Sequence, residues 1–61
     1  MKVEMVWNNN YNSRLDVEMA VIPRKDELVM IDGELLGRVD DVWHVVNKGV
    51  PIVRIFLYKP N

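Results

Sequence analysis

The sequence predicts an all-β fold, a small five- to six-stranded antiparallel barrel or sandwich built from hairpins. Three observations predict it: five or six short strand-like runs follow one another at close spacing, turn-forming residues stand at every junction, and no window has a helical period. The strongest single signal is Glu27 to Val46, where two apolar runs flank Asp32-Gly33. Asp and Gly tolerate the positive φ that a tight reversal demands, so the chain is expected to fold back there.

Taken in order, Met1, Val3, Met5 and Trp7 fall on one face of a first strand, with Lys2, Glu4, Val6 and Asn8 on the other. Asn8 to Ser13 is rich in short polar side chains that bond their own backbone, and reads as a loop. A second strand follows, with Leu15, Val17, Met19 and Val21 opposite Arg14, Asp16, Glu18 and Ala20. It is expected to end near Ile22, because Pro23 cannot donate to a ladder and Arg24-Lys25-Asp26 offers nothing apolar.

A third strand is expected from about Glu27. With a two-residue loop at Asp32-Gly33, Leu28, Met30, Leu35 and Val39 share one face, and Glu27 lies opposite Arg38 as a cross-strand ion pair. A three-residue loop with a bulge groups Val29, Ile31, Leu35 and Val39 instead. Both faces are apolar, so pattern alone leaves the register open. Asp40-Asp41 breaks the alternation and predicts a bulge or bend; Asn47-Lys48-Gly49 predicts a second hairpin turn; the last strand runs from Ile52 to Tyr58 and ends before Pro60.

The 61 residues allow one domain, spanning 1–61, and a chain this short buries only about 60% of its unfolded surface. Cysteine is absent, which excludes disulfides, thiolate metal sites and a thiol nucleophile. The net charge of −1 and the pI near 5.7 imply no long-range field of either sign. MKVEMVWNNN lacks the continuous apolar core of a secretory signal, and no run reaches the length of a membrane span, so a cytoplasmic protein without a membrane partner is expected.

Pro23, then Asp26 to Gly33, then Val39, Val42 and His44, resemble in their turn and strand pattern the small SH3-like barrels found as free-standing, mostly uncharacterised proteins of phage and bacterial genomes. The resemblance covers roughly Ile22 to Leu57 and implies an SH3-like fold with a binding role; it carries over no functional residue. This chain departs from that pattern at Asp26, where a glycine is common, and at Leu28 and Met30, where polar residues are common.

The third to fifth strands are apolar on both faces, whereas one barrel has a single interior. Half of those side chains must therefore point elsewhere, into a covering segment or into another chain. Soluble monomers rarely expose a contiguous apolar patch above a few hundred Å². Homo-oligomerisation is the expectation, with Leu28, Met30, Trp43, Ile52, Phe56 and Tyr58 as the self-association interface.

No phosphate loop, nucleophile elbow or metal-spaced motif occurs, and His44 is the only histidine, so neither catalysis nor a cofactor is expected. Adjacent strand residues point to opposite faces, which keeps Asp40 and Asp41 from converging on a cation unless a bulge turns one of them. The functional expectation is a non-enzymatic protein-binding module that self-associates, of the kind phages use to inhibit or sequester a host factor. Its partner-binding loops would use Tyr11, Arg14, Arg24 and Lys25, against a host protein or a small ligand. The alternative is a single-stranded nucleic-acid-binding barrel using Trp43, Phe56 and Tyr58 with Arg38, Arg54 and Lys59. Interleaved acids and a net charge of −1 weigh against nucleic acid.

Overall fold

A computed structural model describes residues 1–8 and 10–59, with the side chains of residues 10–12 outside the described set. The described chain contains no helix. It forms five strands: β1 (Lys2–Trp7), β2 (Asn10–Glu18), β3 (Leu28–Ile31), β4 (Glu34–Asn47) and β5 (Val50–Tyr58). They make one sheet in the order β2-β1-β5-β4-β3, curled into a half-barrel.

The expectation of purely antiparallel pairing is corrected at the centre of this sheet. β1 and β5 run parallel, from Val3 opposite Val53 to Trp7 opposite Leu57. The reason is one of parity: each of the four connections reverses the chain, so the first and fifth strands run the same way. Once they become neighbours, their ladder must be parallel. The remaining ladders, β1 with β2, β3 with β4, and β4 with β5, are antiparallel.

Both predicted hairpin turns form with two-residue loops. Asp32 and Gly33 have φ of 53° and 79°, and Lys48 and Gly49 repeat those values. Two positive φ angles in succession match the right-handed twist of the flanking strands. The register left open by the sequence combines elements of both alternatives. Ile31 pairs with Glu34 and Met30 with Leu35, as a two-residue loop requires, but Val29 then pairs with Gly37 and Leu28 with Arg38. Leu36 is the extra residue, and this bulge returns Val39 to the face of Val29 and Ile31. The expected Glu27–Arg38 ion pair gives way: Arg38 Nη1 donates to the Asp26 carbonyl at 2.6 Å, and the Glu27 carboxylate accepts from the Arg24 amide.

Gly37 makes the bulge possible. Its φ is 151°, and a Cβ there would lie 2.7 Å from the Tyr58 carbonyl oxygen. The expected break at Asp40-Asp41 is a second bulge, since β5 passes from Leu57 opposite Val39 to Phe56 opposite Asp41. β2 begins earlier and ends sooner than predicted, at Asn10 and Glu18. Val21 is exposed rather than ladder-paired, and Pro60 lies outside the described residues.

The core occupies the concave face. Val3, Met5, Val29, Val39, Val53, Ile55 and Leu57 are buried, and Trp7, Val17, Met19, Ile22, Ile31, Leu36 and Val42 pack against them. Burying each such side chain contributes roughly 1.5–3 kcal/mol. Trp7 closes one end: its indole Nε1 donates to the Leu36 carbonyl at 2.9 Å, satisfying a group that the bulge releases from the ladder. The segment between Glu18 and Leu28 carries the chain from one edge strand to the other. It includes a turn closed by the Glu27 amide on the Arg24 carbonyl, in which Asp26 takes φ 72°. Asp26 thus adopts the conformation for which glycine is common in the resembled pattern.

Gly37→Ala is expected to cost more than about 2 kcal/mol in urea unfolding, because backbone must move, whereas Gly33→Ala, with open space around its Cβ, costs only about 1 kcal/mol from its positive φ. Asp26→Gly is expected to stabilise by about 0.5–1 kcal/mol by relieving the left-handed conformation, measured in the same assay.

Candidate interaction surfaces

The convex face of the sheet divides into a charged half and an apolar half. On β1 and β2 it carries Lys2, Glu4 and Val6 beside Arg14, Asp16 and Glu18. Glu4 and Val6, read from the sequence as the wetter side of their strand, are buried on it. β1 is flanked on both sides: Arg54 and Asp16 stand beside Glu4, and Phe56 and Arg14 beside Val6. The buried Glu4 carboxylate is compensated. Arg54 donates to Oε1 from Nε at 3.1 Å and from Nη2 at 3.0 Å, and Arg14 Nη1 approaches Oε2 at 4.0 Å. Arg14, expected at the start of the second strand and offered there for partner binding, sits within β2 and also meets Asp16 at 3.6 Å.

On β3, β4 and β5 the same face is apolar. All six residues expected at a self-association interface lie on it. Leu28 stands beside Arg38 and through it Tyr58; Met30 beside Leu35; Trp43 beside Arg54; Ile52 beside Val45; and Phe56 beside Asp41. Leu28 is 51% exposed, Met30 61% and Trp43 49%, while Ile52 and Phe56 are half-buried. Leu35, which the sequence reading placed beside Leu28 and Met30 but did not assign to the interface, is exposed with them. Trp43 and Phe56 meet edge to face, with ring centroids 4.8 Å apart.

The two aspartates at the bulge serve this surface. Asp41 Oδ1 accepts from the Val42 amide and Oδ2 from Trp43 Nε1, both at 2.9 Å, which holds the indole upright. Asp40 Oδ2 accepts from the Asn8 amide nitrogen at 2.6 Å, linking the end of β1 to β4 across β5. Among the described residues, no three His, Asp or Glu side chains gather as metal ligands.

A second feature lies at the edge of the concave side. A cleft of about 420 Å³ separates Ile22–Lys25 from Asp41, Val42 and His44. It brings together Arg24 and Lys25, two of the expected partner-binding residues, with His44, which the sequence reading treated as an ordinary strand histidine. Arg24 is ion-paired with Glu27 at 3.9 Å across the turn. The structure does not bring Arg14 to this cleft, and the side chain of Tyr11 lies outside the described residues.

No protein family, no curated protein and no solved structure matches this chain. Among the described residues, no helix is long and apolar enough to cross a membrane.

Arg54→Leu is expected to destabilise by about 1–3 kcal/mol, since it leaves the buried Glu4 carboxylate with only a distant guanidinium. Glu4→Leu combined with Arg54→Leu should recover most of that loss in chemical denaturation, because replacing both partners leaves no uncompensated buried charge.

Proposed function

We propose that this chain is a non-enzymatic protein-interaction module that self-associates, with the apolar half of its convex face as the contact surface. One observation carries the reading: Leu28, Met30, Leu35, Trp43 and Tyr58 are large, apolar and exposed together on three adjacent strands. Leaving such a surface in water forfeits about 25 cal/mol for each Å² that a partner would cover. The tethered indole of Trp43 is an aromatic anchor held in place before any partner arrives, which lowers the ordering cost of binding.

The likeness to SH3-like barrels belongs to the same proposal: a small curled sheet whose outer surface and loops bind another macromolecule, here a second copy or a host factor in the manner of phage inhibitors. Nucleic acid is the less supported partner. Arg54 spends its charge on Glu4, and Asp40 and Asp41 flank the aromatic pair, so a phosphate backbone would meet little net positive charge.

Light scattering over a dilution series is expected to give a mass of at least two 7.2 kDa chains. Leu28→Lys combined with Met30→Lys should shift the mass toward one chain while leaving the circular dichroism of the sheet unchanged. A wild-type chain that stays monomeric at every concentration would sink the reading. Labelled single-stranded oligonucleotides should show no binding at low salt, where electrostatic affinity is greatest; saturable binding there would favour the alternative.

A further inference from the structure

We propose that the outward edge of β4 from Val42 to Val46 is the seam of a symmetric pair, in which a second copy lays the same five residues antiparallel to the first about a two-fold axis at His44. The proposal rests on the self-association reading and names a contact that the apolar face does not specify.

β4 is much longer than its outer neighbour. β3 pairs with it only as far as Arg38, and the segment before β3 reaches Val39 through the Asp26 amide and the Glu27 carbonyl. From Asp40 to Asn47, no described residue pairs with that side of β4. On the opposite side of the hairpin, β1 joins β5 only from Val53 onward. The hairpin tip therefore projects as a two-stranded arm with two open edges.

Those edges are treated differently. Pro51 sits opposite Val46. Asn47 and Val50 close a two-residue loop as a hydrogen-bonded pair, so Val46 and Pro51 form the next, non-bonded pair. The missing N–H of Pro51 therefore faces away from β4, onto the free edge of β5, where it blocks strand addition. By the same alternation, the amide and carbonyl groups of Val42, His44 and Val46 face the free edge of β4, where the Val42 amide donates to Asp41 Oδ1 at 2.9 Å and would exchange that carboxylate for the Val46 carbonyl of the second copy. That edge reads Val-Trp-His-Val-Val, with no proline, glycine or formal charge to discourage pairing. Val46 is 71% exposed.

The charges just outside the seam differ in sign at its two ends, Asp40 and Asp41 before it and Lys48 after it. With the axis at His44, Val42 meets Val46, Trp43 meets Val45, and Asp40 meets Lys48 of the second copy, each twice. Moving the axis by one residue sets Asp40 against Val46, or Lys48 against Val42, and loses both charge pairs. Within one chain, Asp40 and Lys48 are about 26 Å apart along the strand and cannot pair with each other; Asp40, which accepts from Asn8 through Oδ2, meets a lysine only from a second chain. Ile22–Lys25 makes no backbone hydrogen bond to this edge among the described residues, and the cleft already described lies between them. Self-pairing of one edge is isologous and stops at two copies, since each copy uses up the edge that the other needs.

The chain has no cysteine, which makes single introduced cysteines a direct readout. His44→Cys places two sulfurs across the axis with Cα atoms about 5.5 Å apart, within disulfide reach. Val42→Cys and Val46→Cys each leave their own copies about 13 Å apart along the seam. Under mild oxidation, the expected result is near-complete covalent dimer for His44→Cys, little for Val42→Cys or Val46→Cys alone, and cross-linking when those two are mixed. Asp40→Lys and Lys48→Asp should each weaken the dimer about tenfold or more, and the double exchange should restore it. A wild-type oligomer in which cysteine at 44 does not cross-link, or does so no better than at 42 and 46, overturns the seam and leaves self-association standing. A wild-type monomer at all concentrations overturns both.

Discussion

The structure depends on the parallel ladder between β1 and β5. It joins the β1–β2 hairpin, whose two strands alone would be marginal in water, to the β3–β4–β5 meander. Val3, Met5, Val53, Ile55 and Leu57 meet along this ladder and form most of the fully buried core. The same pairing makes β1 an interior strand, and so determines that Glu4 and Val6 are covered by side chains on both sides. A buried carboxylate at that point has to be paired, and Arg54 arrives on the neighbouring strand opposite it. Fold and electrostatics are thus settled in one place, between residues some fifty positions apart in sequence.

This arrangement also divides the convex face. On the β1–β2 side, charges pair among themselves and the surface is fit for water. On the β3–β5 side, Arg38 and Arg54 are held by Asp26 and Glu4, and Asp41 serves an aromatic residue by holding the Trp43 indole. Bulges control which residues reach that side. Leu36 and Asp40 each insert one residue in β4: the first brings Val39 to the face of Val29 and Ile31, and the second lets Val39 and Val42 both point into the core although they are three positions apart. Without those insertions, the alternation would bring one of the two valines to the convex face.

Much of this was legible in the sequence. Asp32-Gly33 and Asn47-Lys48-Gly49 predicted turns that form where expected, and Asp40-Asp41 predicted a bulge that is present. Period-two alternation grouped Ile52, Phe56 and Tyr58 on one face of their strand and Trp43 opposite Val42 and His44, but with both faces apolar it did not say which face is the core; that followed only from the strand order. The sequence pattern offered a bulge only together with a three-residue loop, and did not point to the bulge at Leu36. Its signal was Gly37, a glycine inside an apolar strand, where only the absence of a Cβ lets the backbone pass the Tyr58 carbonyl.

The sequence by itself determined the all-β class, the positions of the hairpin turns and the two-sided apolar character of the later strands, because these follow from φ preferences and from a side-chain period that is local. Only the tertiary structure decided that β1 lies beside β5 in parallel, that Glu4 is buried against Arg54, and that the β4–β5 hairpin outruns its neighbours to leave one edge unpaired. Those outcomes depend on which strand edges meet across the whole length of the chain. Backbone hydrogen bonding is the same for every residue type but proline, so the choice falls to the packing of side chains that no local pattern brings together.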